Sequence, residues 1–110
     1  MSGDYTPREV SELLLHGEVQ LVDVRTPHEY AAGHIDGVTH IELQQLAQQA
    51  GSLDRERPVV LVCRSGARSA MATDALAQAG FDAHNMVGGM LDWTGSGLAI
   101  EPADGFVAEP

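Results

Sequence analysis

The sequence predicts one α/β domain built on a parallel sheet, and three observations lead there. Helical and strand-like patterns alternate along the chain, with no repeat, low-complexity tract or linker before the C-terminal tail. The run Val59-Val60-Leu61-Val62 is apolar throughout, as in a central strand covered on both faces. A chain of 110 residues has the size of one domain, domains commonly being about 100–150 residues long.

Taken in order, Thr6-Pro7-Arg8-Glu9 opens a first helix. Thr6 caps it, Pro7 suits its first position, and Glu9 sits where a capping-box acid belongs. That helix runs to about Leu15 and stops near Gly17. Gln20–Val24 forms a short buried strand. Thr26-Pro27-His28-Glu29 repeats the capping box and starts a helix through Ala32 that ends at Gly33. Val38–Ile41 reads as a strand, and Glu42–Ala50 as a helix stopped by Gly51. Pro58 fits the first position of the central strand. A helix from about Ser69 to Ala79 follows, its many alanines letting it lie close to the sheet. Ala83–Val87 is a strand broken by Gly88-Gly89, and Met90–Trp93 a short helix. Pro102–Pro110 mixes proline, glycine and acids and reads as a loosely held acidic tail, leaving residues 1–101 as the domain.

Sixteen acids face six arginines and no lysine, for a formal charge of −10. That balance argues against nucleic acid and anionic membranes as partners. The missing lysine excludes Schiff-base chemistry and a P-loop lysine. The acidity reads as a solubility device. No apolar run reaches the ~20 residues of a membrane span. The stretch MSGDYTPREV lacks the basic and apolar regions of a signal peptide, so a reducing cytoplasm is expected. One cysteine excludes an internal disulfide and a zinc site of several cysteines. His16, His28, His40 and His84 show no metal-site spacing, and neither metal nor cofactor is expected.

The informative stretch is Cys63-Arg64-Ser65-Gly66-Ala67-Arg68-Ser69, which leaves the central strand and enters a helix. Ligand sites of parallel sheets form at the carboxyl ends of strands. A loop opening onto a helix N-terminus converges free N–H groups on one spot. Arg64 and Arg68 add positive charge, no acid lies in the loop, and Gly66 permits a backbone turn that a Cβ would resist. Such a cradle favours an anion. It also lowers the pKa of Cys63, whose thiolate is then a covalent nucleophile.

With these residues the chain resembles the single-domain rhodaneses, the thiosulfate sulfurtransferase family. Three segments carry the resemblance, which spans about residues 4–101. One holds Asp23-Val24-Arg25, Glu29-Tyr30, Gly33-His34-Ile35 and Gly37. Another is the loop Cys63–Ser69. The last holds Gly88-Gly89-Met90, Trp93 and Gly97. The resemblance implies a five-stranded parallel sheet of order 1-5-4-2-3 with helices on both faces, its first strand near Gly3–Tyr5. It implies that Cys63 accepts sulfane sulfur as a persulfide, with the N–H groups of Arg64, Ser65, Gly66, Ala67, Arg68 and Ser69 holding the transferred sulfur and the anionic donor. Donors would be thiosulfate, a persulfide or a polysulfide. Acceptors would be cyanide, a thiol or another protein. Related phosphatases use a longer Cys-x5-Arg loop, whereas Cys63 and Arg68 here enclose four residues, a ring suited to one sulfur atom. A sulfur-relay role, a regulatory anion-binding module and a phosphatase are the alternatives to a stand-alone enzyme.

Outside the loop, Asp23 is expected to pair with Arg68 or another loop donor and support the cradle, and Arg25 with Glu29 to pair locally. Arg64 is available to meet the donor or a partner. His34 reads as structural, and Trp93, Met71, Met86 and Met90 as core.

Overall fold

The computed structural model describes residues 3–110. Two capping boxes start its first helices. Thr6 Oγ1 accepts from Glu9 N–H at 3.2 Å while Glu9 Oε1 accepts from Thr6 N–H at 2.8 Å, and α1 runs over Pro7–Leu15. The same exchange between Thr26 and Glu29 starts α2, Pro27–Ala32. Proline at the first position has no N–H to leave unpaired. The apolar runs give β1 (Gln20–Asp23), β2 (Thr39–His40), β3 (Val59–Val62) and β4 (Ala83–Asn85).

All neighbouring strands run parallel, in the order β2-β1-β3-β4. Among the described residues the sheet therefore has four strands, not the five expected. Beside β4, Tyr5 makes only a single-residue parallel bridge to Met86, with Tyr5 N–H on Asn85 O at 3.0 Å. The cause is Thr6, which as the N-cap of α1 turns the chain off the sheet after one pairing residue. β2 is shorter than expected because Val38 N–H turns back to Ile35 O at 3.2 Å.

Side chains alternate across the sheet and create two apolar layers. Val22, Val59 and Leu61 meet Leu46, Ala72 and Leu76, from α3 (Leu46–Gln49) and α4 (Ala67–Gln78). Leu21, Val60 and Val62 meet Val10 of α1 and Met90 and Trp93 of α5 (Gly89–Gly95). Helices thus cover both faces. The helix expected over Glu42–Ala50 is broken into 3-10 turns at Leu43–Gln45 and Ala50–Ser52 flanking the single turn of α3. None of the three pieces has a side-chain cap, and the segment is held by Leu43, Leu46, Ala50 and Leu53 on the core. Met86 and Met90 are buried as expected, but Met71 is 66% exposed, on the outer side of α4. The tail read as loosely held is anchored: Phe106 N–H bonds Ala32 O at 3.0 Å, Ala108 is buried, and Val107 packs against the core.

The register aligns Asp23 with Val62 and Asn85 with Leu61. The carboxyl ends of β1, β3 and β4 consequently open at one edge, with Cys63 in the middle.

Candidate active site

Cys63 follows the last residue of the central strand, and its residue surface is only 1% exposed. Gly66 adopts φ +111°, in the left-handed region where a side chain is disfavoured, and serves as the N-cap of α4. This turn aims Gly66 N–H at Cys63 Sγ, 3.0 Å away. It also starts α4 at Ala67, two residues earlier than expected, so Arg68 and Ser69 stand in the helix's first turn. Burial pushes the Cys63 thiol up. Hydrogen bonds to the sulfur from the Ser69 hydroxyl and from the N–H groups of Ser69, Gly66 and Ser65 outweigh it, and the thiol lies below its ordinary value. A sulfur ringed by N–H donors is stabilised as an anion without a neighbouring base.

The outside of the ring is held by α5. Met90 N–H bonds Cys63 O at 2.8 Å and Leu91 N–H bonds Arg64 O at 3.1 Å. These bonds turn the loop carbonyls outward, leaving the N–H groups to the inside. Gly89 makes the approach possible: its φ is +57°, and a Cβ there would run into the carbonyl oxygens of Cys63 and Arg64. The glycine pair read as a strand breaker is thus part of the site.

Arg68 closes the loop through a two-pronged pair with Glu29, Nη1 to Oε1 and Nη2 to Oε2 both at 2.7 Å. Burial pushes the Glu29 carboxyl up, but Arg68 and the N–H and hydroxyl of Thr26 reverse this and lower it to about 2. Glu29 in turn raises the pKa of Arg68.

Residues 6–96 match the rhodanese-like domain family. The chain belongs to this family. It is 35% identical over 99 residues to the thiosulfate sulfurtransferase GlpE of Pseudomonas aeruginosa, a match covering 89% of this chain and 86% of that protein. It is 42% identical over 88 residues to the HTH-type transcriptional regulator Rv0324 of Mycobacterium tuberculosis, covering 77% of this chain. The chain spans only 38% of that regulator's length. Among solved structures, the rhodanese-like domain protein of Staphylococcus aureus superposes with a TM-score of 0.78 at 35% identity, covering 84% of this chain and 91% of that one.

Within this rhodanese-like domain the expected ion pairs exchange partners. Asp23 binds Arg25, not Arg68: Nε lies 2.9 Å from Oδ1 and Nη2 2.7 Å from Oδ2. Both residues are fully buried, and Arg25 Nη2 continues to Gly33 O at 2.8 Å. Glu29, expected on Arg25, holds Arg68 instead. Arg25 precedes the cap Thr26 and so does not share a helix face with Glu29. Glu29, the third residue of α2, is directed back to the helix start, which lies against the loop. Arg64 is half-buried, its Nε donating to Ala108 O at 3.2 Å. Ser65 and Ala67 are exposed at the mouth, and Ser69 is fully buried under the sulfur. His34 bonds Tyr30 O through Nδ1 at 2.9 Å and stacks on the Tyr30 ring. Trp93 is core, its indole N–H on Ala99 O at 2.9 Å.

Beyond Glu29 and Gly89, whose site roles the sequence did not show, a further residue was missed. Asn85, at the carboxyl end of β4, donates from Nδ2 to Gly66 O at 3.2 Å and accepts the Ser69 hydroxyl on Oδ1 at 2.6 Å. Its place at a strand end on the ligand-binding edge of the sheet is the signal that would have found it.

Proposed function

We propose that this domain moves sulfane sulfur from a donor to a nucleophilic acceptor through a persulfide on Cys63. The observation that carries the reading is a buried cysteine sulfur at the start of α4 with Gly66 N–H aimed at it from 3.0 Å. In the first half-reaction the Cys63 thiolate attacks the outer sulfur of thiosulfate. The sulfur–sulfur bond breaks, sulfite leaves with the electron pair, and the transferred sulfur carries the negative charge. The loop N–H groups stabilise that charge as they stabilise the thiolate. In the second half-reaction cyanide or a thiolate attacks the outer sulfur, and Cys63 leaves as the thiolate it began as. With one cysteine in the chain, the acceptor comes from outside.

Thiosulfate as donor is supported by the likeness to the thiosulfate sulfurtransferase of Pseudomonas aeruginosa and by the two arginines of the loop. Two-half-reaction kinetics test the scheme. Parallel double-reciprocal lines with thiosulfate and cyanide are expected, and intersecting lines would require direct transfer. A second reading, with a protein as acceptor, is favoured by the likeness to a putative sulfur carrier protein of Bacillus subtilis, YrkF, 40% identical over 78 residues. It predicts full persulfide loading with poor cyanide turnover. The four-residue spacing from Cys63 to Arg68 weighs against phosphate esters, and turnover of a generic aryl phosphate would reverse that.

A further inference from the structure

We propose that Asn85 is a positioning residue for the Cys63 sulfur: it holds the Ser69 hydroxyl proton while that sulfur is uncharged and yields it when the sulfur is a thiolate. Ser69 has one hydroxyl proton and three acceptors within reach. They are Asn85 Oδ1 at 2.6 Å, Cys63 Sγ at 3.3 Å and Gly66 O at 3.3 Å. Cys63, Ser69 and Asn85 are all buried, so the choice is made among these groups. One proton serves one strong bond, and the 2.6 Å contact takes it. The amide is oriented by its other end, since Nδ2 donates to Gly66 O and leaves Oδ1 toward Ser69.

With its proton on Asn85, Ser69 Oγ presents a lone pair to Cys63 and accepts the thiol S–H. When the sulfur is ionised, the hydroxyl turns to it, because a hydrogen bond to a charged acceptor is the stronger one. That turn costs the Asn85 bond. Asn85 therefore opposes the thiolate and favours every state in which the inner sulfur is neutral. The persulfide is such a state, its charge lying on the outer sulfur. This last step rests on the transfer cycle proposed above; the titration of the thiol does not. The charged groups around the loop and Asn85 include Arg64, Arg68 with its partner Glu29, Asp23 with Arg25, Asp92 of α5 beside Gly88, and Asp4, whose Oδ1 accepts from Asn85 N–H at 3.3 Å. Substitutions at positions 69 and 85 leave all of them in place.

The test is the pH dependence of Cys63 alkylation by iodoacetamide in the wild type, Asn85→Leu, Ser69→Ala and the double variant. Ser69→Ala should titrate above the wild type. Asn85→Leu should titrate below it, by about half to one pH unit, a small share of the shifts that hydrogen bonding produces. The double variant should match Ser69→Ala. Asn85→Leu titrating at or above the wild type, or shifting equally with and without Ser69, would overturn the proposal. Should Asn85→Leu not fold, the S–H stretching band of the neutral thiol decides. It should lie lower in the wild type than in Ser69→Ala, and equal bands would refute the lone-pair orientation. Alkylation needs no sulfur donor, so a protein that never carried sulfur would leave this test standing while removing the proposed function.

Discussion

Glu29 shows what a single buried residue does here. It caps α2, holds Arg68 and so closes the Cys63 loop, with no exposed side-chain surface. Its carboxyl titrates near 2 against an ordinary 4.5. A carboxyl depressed on folding contributes stability above its unfolded pKa and loses it as pH falls through the folded value. The shift corresponds to about 3 kcal/mol at most, reduced somewhat because Arg68 is partly exposed. Glu29→Gln should therefore cost about 2–3 kcal/mol at neutral pH in urea unfolding. The deficit should shrink between pH 4.5 and 2, as the wild type protonates. A deficit constant with pH would mean that the ion pair is not its source. At this scale the sequence was informative about Cys63, whose loop residues are contiguous, and about both capping boxes. It misassigned the ion pairs, because spacing of four residues suggests a helical pair only when both residues are in the helix, and Arg25 lies before the cap.

At the scale of elements, the loop is shaped by what lies on either side of it. α4 begins at its inner wall and the start of α5 grips its outer carbonyls. Gly89→Ala should disturb both carbonyls of the loop and force a side chain into positive φ. A loss of about 3 kcal/mol or more is expected, with persulfide loading strongly slowed. Gly95→Ala in the same helix meets nothing within 4 Å and should be neutral or stabilising by up to about 1 kcal/mol. Equal effects at the two positions in thermal melts would contradict the gripping role of α5. The strands and helices with strong periodicity were readable. The strand that the resemblance implies near Gly3–Tyr5 is replaced by a single bridge at Tyr5 because Thr6 caps α1, and the helix read from the apolar pattern over Glu42–Ala50 breaks into short turns without side-chain caps.

For the whole molecule, a cationic loop sits on a chain of charge −10. Long-range repulsion should slow the arrival of an anionic donor at low salt. Raising ionic strength from about 0.01 M to 0.15 M, which shortens the screening length from about 30 Å to 8 Å, should speed loading by thiosulfate a few fold. A rate that falls with salt would mean the loop's own field governs capture. Composition alone revealed this conflict, while the anchoring of the tail on Arg64 depends on contacts between residues 44 positions apart and has no local signature.

The central claim, a persulfide on Cys63, is tested most directly by intact mass after incubation with excess thiosulfate, beside Cys63→Ser. The wild type should gain one sulfur atom and lose it on addition of cyanide, while the folded Cys63→Ser variant gains none. A wild type that gains no sulfur from thiosulfate, polysulfide or a protein persulfide, or a serine variant that gains it equally, would contradict the account.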